Sequence, residues 1–213
     1  MTPLEALEDG AVGILGRPLT AGEREDFGKY LALLVKWQRA HRLVGSSDPM
    51  WIVEHLFLDS LLFLRLLPST VRALADLGSG AGLPGLPIKI VRRDMEVTLI
   101  ESRRRRATFL TSAIRTIKLV GARVVEGRAE TLVQELEGRF DAVVMRCAGD
   151  VDAMIPVAAT LLPERGIVVA SGPPQPRAIS FAEWVTVPGV RRGTTRRFAV
   201  YRRGEPEVNS RKV

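Results

Sequence analysis

The residues best suited to chemistry are the glycines of segment 76–85, which we call the glycine loop. Four glycines fall within eight positions, directly after the apolar segment 71–77. Glycine tolerates positive φ angles and has no Cβ, so its backbone can turn sharply and approach a ligand closely. The amides of such a loop, with the positive end of the following helix, face that ligand. The segment therefore predicts a strand that leads into a backbone-lined nucleotide pocket.

Two ligand classes fit this loop. The spacing of Gly80, Gly82 and Gly85 satisfies G-x-G-x-x-G, which is typical of dinucleotide sites. From Asp76 to Gly82 the same residues resemble the D-x-G-x-G-x-G signature of class I methyltransferases, which bind S-adenosylmethionine. Neither match by itself decides between NAD and S-adenosylmethionine.

An acidic residue closes the next predicted strand. Glu101 follows the apolar segment 97–100 and lies 23 residues after Gly78, at about the spacing at which Rossmann-like sites place a carboxylate on ribose hydroxyls. An acid at this position can instead cap the helix that starts after Ser102. Because the glycine loop precedes it, we favour the ribose role, which both cofactors would use.

The elements that must position these residues alternate from position 71 onward. The sequence predicts strands near 71–77, 96–101, 122–126, 140–145 and 166–171, and helices near 85–92, 103–119, 128–136 and 150–161. This order is typical of a parallel sheet with right-handed crossovers. Segments 183–188 and 196–203 have no helix between them and predict an antiparallel pair. We therefore predict an α/β fold with the Rossmann-like, seven-stranded, mostly parallel sheet of class I S-adenosylmethionine-dependent methyltransferases.

Residues 3–67 are predicted to be helical. Thr20 and Glu23 have the spacing of a capping box. Asp48 followed by Pro49 predicts another helix start, because proline suits the first helical position.

We accordingly divide the chain into a helical amino-terminal part, residues 1–68, and a methyltransferase domain with a basic carboxy-terminal hairpin, residues 69–213. His55 and Asp59 lie four positions apart and share one helix face. We expect them to form a buried hydrogen-bonded pair that docks the helical part on the sheet.

Composition narrows the class of protein. The chain has 213 residues, 46% of them hydrophobic and 26% charged, which is ordinary for one globular domain. Cys147 is the single cysteine and only two histidines occur, so we expect neither a disulfide nor a metal site. The first residues lack the features of a signal peptide, and the most apolar run, 56–67, is interrupted by polar residues. We expect a cytoplasmic monomer with no membrane partner.

Positive charge is concentrated near the carboxyl end. Eight Lys or Arg residues against two Glu follow position 188, whereas the rest of the chain is nearly balanced. Such a patch is the electrostatic footprint of RNA binding. The candidate RNA contacts are Arg191, Arg192, Arg196 and Arg197. A second cluster, Arg103–Arg106, is either a solvated helix face or another nucleic-acid contact.

Several spaced blocks together resemble one family, the bacterial small-subunit ribosomal RNA guanine-N7 methyltransferases, also called glucose-inhibited division protein B. The blocks are Trp37, His55–Ser60, Asp76–Pro87, Glu101–Ser102, Gly127–Glu130 and Phe140–Ala148, in the family's order. The resemblance implies S-adenosylmethionine as methyl donor and a guanine of small-subunit ribosomal RNA as acceptor.

Matched to the family's motifs, the cofactor contacts lie in the glycine loop and at later strand ends. They are Asp76, Gly78, Gly80, Gly82, Leu83, Glu101, Ala129, Glu130 and Arg146. Arg146 is also the catalytic candidate, because an apolar strand has no packing reason to end in arginine and α/β sheets bind ligands at strand carboxyl ends. Leu83 is alternatively a core residue, and Glu130 alternatively complements a helix dipole.

The implied chemistry requires little of the protein. Guanine N7 already carries an in-plane lone pair, so we expect no general base. Catalysis would come from alignment of the two reacting atoms and from electrostatic tuning. Arg146 could bond the guanine O6 edge or a neighbouring phosphate.

The sequence departs from the family's pattern at two turns. His41–Val44 stands where relatives read Tyr-Asn-Leu-Thr, and Ser171–Pro174 stands where their fifth strand ends in Lys-Gly. The second departure removes a candidate RNA contact, for which the tail arginines would substitute. The alternatives are an RNA-binding paralogue with another substrate or no turnover and, less favoured, a small NAD-dependent oxidoreductase.

Overall fold

The computed structural model describes residues 1–146, 150–173, 177–191 and 193–204. Its strands are β1 Ala73–Leu77, β2 Glu96–Glu101, β3 Ala122–Glu126, β4 Ala142–Arg146, β5 Ile167–Ser171, β6 Glu183–Pro188 and β7 Thr195–Arg202. They form one sheet in the order β3-β2-β1-β4-β5-β7-β6. Strands β1 to β5 run parallel, and β7 is antiparallel to both β5 and β6. The predicted fold class and antiparallel end pair are confirmed.

The helices also follow the predicted order. They are α1 Pro3–Leu15, α2 Ala21–His41, α3 Pro49–Ile52, α4 Leu58–Leu61, α5 Gly85–Val91, α6 Arg104–Ile117, α7 Ala129–Leu136 and α8 Val151–Thr160. A π-helical turn, Val53–Phe57, joins α3 to α4, and a 3₁₀ turn, Leu62–Arg65, follows α4. Within the described ranges, no helix is both long and apolar enough to cross a membrane.

Local signals set the helix starts as the sequence predicts. Thr20 Oγ1 accepts from the Glu23 amide at 3.2 Å, and the Thr20 amide donates to Glu23 Oε2 at 2.8 Å, which completes the capping box. Asp48 Oδ1 accepts from the Met50 amide at 3.1 Å, with Pro49 at the first helical position.

The sheet is buried on both faces. On one face, strand residues such as Leu74 and Val144 form a core with α1, α2, α5 and α6. On the other face, the adjacent strand residues, such as Ala75 and Val143, form a second core with α7 and α8. The amino-terminal helices share the first core with the sheet: the Phe63 ring lies edge-on to Phe198 of β7, with centroids 4.8 Å apart. The helical part is therefore packed directly on the sheet.

Parallel pairing brings the predicted site residues to one edge. The end of β1, Leu77, pairs with Ile100 of β2 and with Met145 of β4, and Glu101 of β2 pairs with Glu126 of β3. The glycine loop and the residues that close β2, β3 and β4 consequently lie side by side.

Candidate functional site

The carboxyl ends of β1 to β4 open onto a cavity of about 530 Å³, within the size range of small-molecule sites. Its lining comes from the glycine loop, the starts of α6 and α7, the end of β4, and the amino-terminal helical part. The residues are Leu43–Gly45, Leu56, Leu77–Ala81, Leu83, Ile100–Arg103, Arg106, Gly127–Glu130, Arg146 and Met154.

The glycine loop is fastened to the end of β2. The amides of Gly78 and Ser79 both donate to the carbonyl of Ile100, at 2.9 and 3.0 Å. Gly78 and Gly80 have φ angles of 72° and 59°, in the left-handed region that favours glycine. A Cβ on Gly80 would meet no atom closer than 3.7 Å. This part of the backbone is therefore open toward the cavity.

The last glycine of the loop has a different role. A Cβ on Gly85 would lie 2.6 Å from Leu99 Cδ2 and 2.7 Å from Asp76 Oδ2, too close for any side chain. Gly85 thus permits close packing of α5 on the sheet, as its position in the motif predicts. Its amide donates to Asp76 Oδ2 at 2.9 Å.

Asp76 lies beneath the loop and is fully buried. Its Oδ1 has no hydrogen-bond partner in the described part of the chain. Burial raises the pKa of Asp76 to about 7, and the Gly85 amide opposes this only in part. Neither Asp76 nor Gly82 lines the cavity, although both were predicted cofactor contacts.

Glu101 both fastens the loop and faces the cavity. Its Oε2 accepts from the Gly80 amide and its Oε1 from the Arg103 amide, each at 2.8 Å. Only 4% of the residue is exposed. The contact to Arg103 satisfies an amide at the start of α6, as the capping alternative predicts, while each carboxylate oxygen keeps a lone pair for a hydroxyl donor.

Arg146 connects the cavity to the amino-terminal helices. Its guanidinium donates to the carbonyl of His55 at 2.6 Å and to that of Leu56 at 3.2 Å. Both carbonyls belong to the π-helical turn, whose i→i+5 pairing changes the regular carbonyl pattern of the helix. Arg146 lies at the cavity, as predicted, and also holds this turn in place.

The predicted pair between His55 and Asp59 is wrong. Asp59 accepts instead from Arg196 Nε of β7, with the closer contact at 3.1 Å, and the His55 ring lies 5.1 Å from the ring of Trp51. The helical part is thus tied to the sheet by an ion pair with its last strand.

Tyr30 contacts the loop in a way that the sequence did not indicate. Its buried hydroxyl donates to the Ala81 carbonyl at 2.5 Å, and its ring stacks on Phe57 at 4.8 Å. Burial, and secondarily the nearby Asp76 carboxyl, raise the pKa of Tyr30 well above its usual value. The contact joins positions 51 apart, so no local spacing in the sequence indicates it.

Most of the predicted cofactor residues meet at the cavity: Gly78, Gly80, Leu83, Glu101, Ala129, Glu130 and Arg146. The turn Leu43–Gly45, Met154 and Arg103 were not predicted to line it. The departing turn, His41–Val44, therefore contributes to the cavity wall.

The candidate RNA residues of the tail lie away from this cavity. Arg191 forms an ion pair with Glu54 at 2.5 Å, and Arg196 pairs with Asp59. Arg197 is exposed on β7. Arg192 and Cys147 lie outside the described residues.

A comparison with protein families matches residues 23–174 to the GidB family, described as rRNA small subunit methyltransferase G. A protein of Xanthomonas axonopodis pv. citri named ribosomal RNA small subunit methyltransferase G is 42% identical over 122 residues, which cover 57% of each chain. The protein of that name from Xylella fastidiosa is 44% identical over 107 residues, 50% of each chain. The chain thus spans about half the length of these curated relatives.

Solved structures share the fold at low sequence identity. A variant of MtNAS superposes with a TM-score of 0.57 and 16% identity, covering 82% of this chain and 73% of that one. A Staphylococcus aureus protein described as a caffeoyl-CoA O-methyltransferase gives 0.50 and 16% identity, covering 66% and 65%. The antiparallel β7 further distinguishes this sheet from the 3-2-1-4-5-6 order of dinucleotide-binding folds. The NAD alternative is not supported.

Proposed function

The chain belongs to the GidB family, rRNA small subunit methyltransferase G, and from that premise we propose that it methylates guanine N7 in small-subunit ribosomal RNA, with S-adenosylmethionine as donor. The observation that supports this most is the cavity where the glycine loop, Glu101 and Arg146 meet. We propose that it acts as a cytoplasmic monomer.

The cavity residues have the chemistry to hold S-adenosylmethionine. The open backbone at Gly80 accommodates a closely approaching ligand, and the remaining lone pairs of Glu101 suit ribose hydroxyls. Ala129 offers an apolar surface for a purine, and Glu130 an acceptor beside it. When bound, the cofactor supplies an electrophilic methyl group on a sulfonium sulfur.

The protein's own contribution is placement and electrostatics. Since guanine N7 presents a lone pair, no side chain must remove a proton. Arg146 is half-buried and held by two carbonyls, so its charge is fixed in position at the cavity. We assign it to the guanine O6 edge or an adjacent phosphate, where a fixed donor lowers the barrier. Leu43 and Leu56 add apolar surface to the wall of the same cavity.

The test is methyl transfer from labelled S-adenosylmethionine to small ribosomal subunits and to naked ribosomal RNA, followed by mapping of the modified atom. Calorimetry measures cofactor affinity in parallel. We expect a 7-methylguanine, and a loss of about 100-fold or more in turnover for Arg146→Ala. Arg139→Ala, which removes an exposed arginine remote from the cavity lining, should retain activity.

Two results would overturn the proposal. Absence of cofactor binding by the wild-type protein would favour an RNA-binding paralogue without turnover. Full methyl transfer by Arg146→Ala, with unchanged cofactor affinity, would remove Arg146 from the catalytic site. Arg146→Lys tests whether charge alone is sufficient, because lysine keeps the positive charge but lacks the planar guanidinium with its paired donors.

A further inference from the structure

Two helices beside the cavity begin with an unusual residue. The N-cap of α6 is Arg103 and that of α7 is Arg128, and neither makes a side-chain capping bond. By contrast, Thr2, Thr20 and Asp150 cap α1, α2 and α8 by accepting a backbone amide. N-cap positions favour such acceptors, whereas a guanidinium has only donors. Neither arginine thus caps its own helix, although Glu101 accepts the Arg103 amide at the start of α6.

The first turn of α6 adds to this imbalance. Arg104, Arg105 and Arg106 follow Arg103 directly, and this turn contains no acidic residue. The start of a helix already carries partial positive charge, so cations there are unfavourable. We call Arg103–Arg106 and Arg128 the rim arginines. Within the described ranges, no acidic side chain forms an ion pair with any of them.

The neighbouring acid does not neutralise this charge by direct contact. Both oxygens of Glu101 accept backbone amides, from Gly80 and Arg103. Two of the tail arginines differ, because Arg191 and Arg196 each have a carboxylate partner. Among the described residues, the rim arginines therefore carry positive charge at the cavity that no carboxylate of the chain pairs.

We propose that the rim arginines bind backbone phosphates of the substrate RNA at the mouth of the cavity. This inference rests on the proposed function. Arg103, Arg106 and Arg128 line the cavity, while Arg104 and Arg105 are exposed beside it. Guanidinium groups bind phosphate through paired, charge-assisted hydrogen bonds.

An extended polyanion fits this arrangement better than a single ion. The two groups of arginines start different helices, at the ends of the paired strands β2 and β3. One phosphate can be held at one helix start, whereas a phosphodiester chain can contact both. Neutralisation by RNA would also remove the mutual repulsion among the arginines.

The experiment compares Arg104→Gln/Arg105→Gln with Arg115→Gln/Lys118→Gln, which removes the same charge from the other end of α6. Binding of a labelled single-stranded fragment of small-subunit ribosomal RNA is followed by fluorescence anisotropy across a salt titration. Loss of two phosphate contacts should reduce the salt slope by about 1.4 and the affinity about 10- to 30-fold near 0.1 M salt. The control pair should keep the wild-type slope.

Thermal unfolding of the free proteins gives an independent readout. Because Arg104 and Arg105 oppose the helix dipole, their replacement should raise the melting temperature by about 1 to 4 °C. Replacement of Arg115 and Lys118, which complement the dipole, should lower it. A structural role for the rim would instead lower the melting temperature of the rim variant.

The proposal is wrong if the rim variant keeps the wild-type salt slope, or if the control variant loses as much RNA affinity as the rim variant. It is also wrong if inorganic phosphate competes as effectively as RNA at equal phosphate concentration. These outcomes are separate from failure of the proposed function. A wild-type protein that methylates RNA while the rim variant binds normally refutes only the rim. A wild-type protein that never transfers methyl, yet shows the rim effect, refutes only the activity.

Discussion

The buried carboxyl group of Asp76 should make the stability of this protein depend on pH. Burial raises the pKa of Asp76 from its ordinary value of 3.8 to about 7 in the folded state. The folded chain therefore holds the proton more tightly than the unfolded chain does. The resulting stabilisation is complete below about pH 4 and is lost as pH rises through 7.

The two pKa values of Asp76 set the size of the effect. Their separation corresponds to about 4 kcal/mol of unfolding free energy. Asp76→Asn keeps an oxygen that can accept the Gly85 amide but no longer titrates. We expect the wild-type free energy of unfolding, minus that of the variant, to fall by about 4 kcal/mol between pH 4 and pH 8.

The assay is urea unfolding at a series of pH values, followed by circular dichroism. Asp94→Asn is the control, since the Arg92 hydrogen bond lowers the pKa of the Asp94 carboxyl to about 2. The pKa of Asp94 lies below pH 4 in both the folded and the unfolded chain. The difference in unfolding free energy between wild type and Asp94→Asn should therefore be nearly constant from pH 4 to pH 8. A constant difference for Asp76→Asn as well would refute the assignment of the raised pKa to Asp76.

Four further substitutions, one of them a control in α1, test the packing of the chain, each by urea unfolding. Gly85→Ala should destabilise the protein by about 1–3 kcal/mol, because its Cβ has no room, whereas Gly13→Ala, with no atom within 4 Å, should stabilise α1 by about 0.5–1 kcal/mol. Tyr30→Phe leaves a loop carbonyl unpaired, which should cost about 1–3 kcal/mol and weaken cofactor binding in calorimetry. Asp59→Asn should cost less than about 1 kcal/mol, since its partner Arg196 is partly exposed.

Each of these predictions has a clear contrary result. Equal effects of the two alanine substitutions would contradict the close approach of α5 to the sheet. Unchanged stability of Tyr30→Phe would mean that the loop carbonyl finds another donor. A loss for Asp59→Asn that persists undiminished in high salt would contradict a screened surface ion pair.

The sequence alone determined the elements and the edge at which they meet. Glycine spacing, the acid that closes β2 and the alternation of strands and helices are local patterns, and each acts through backbone geometry within a few residues. The parallel order then places Gly78, Glu101 and Arg146 together, because the carboxyl ends of such strands share one edge. The resemblance drawn from the same blocks agrees with the matched family.

Tertiary structure decided how these residues are used. Asp59 and Arg196 pair with each other although they lie 137 positions apart. The hydroxyl that donates to the Ala81 carbonyl belongs to Tyr30 of α2. Such contacts depend on how the helices are oriented on the sheet, which no local pattern encodes. The same packing gives acidic partners to Arg191 and Arg196 and none, among the described residues, to the rim arginines. Charge could be counted from the sequence, but its neutralisation depends on distances that only the folded chain sets.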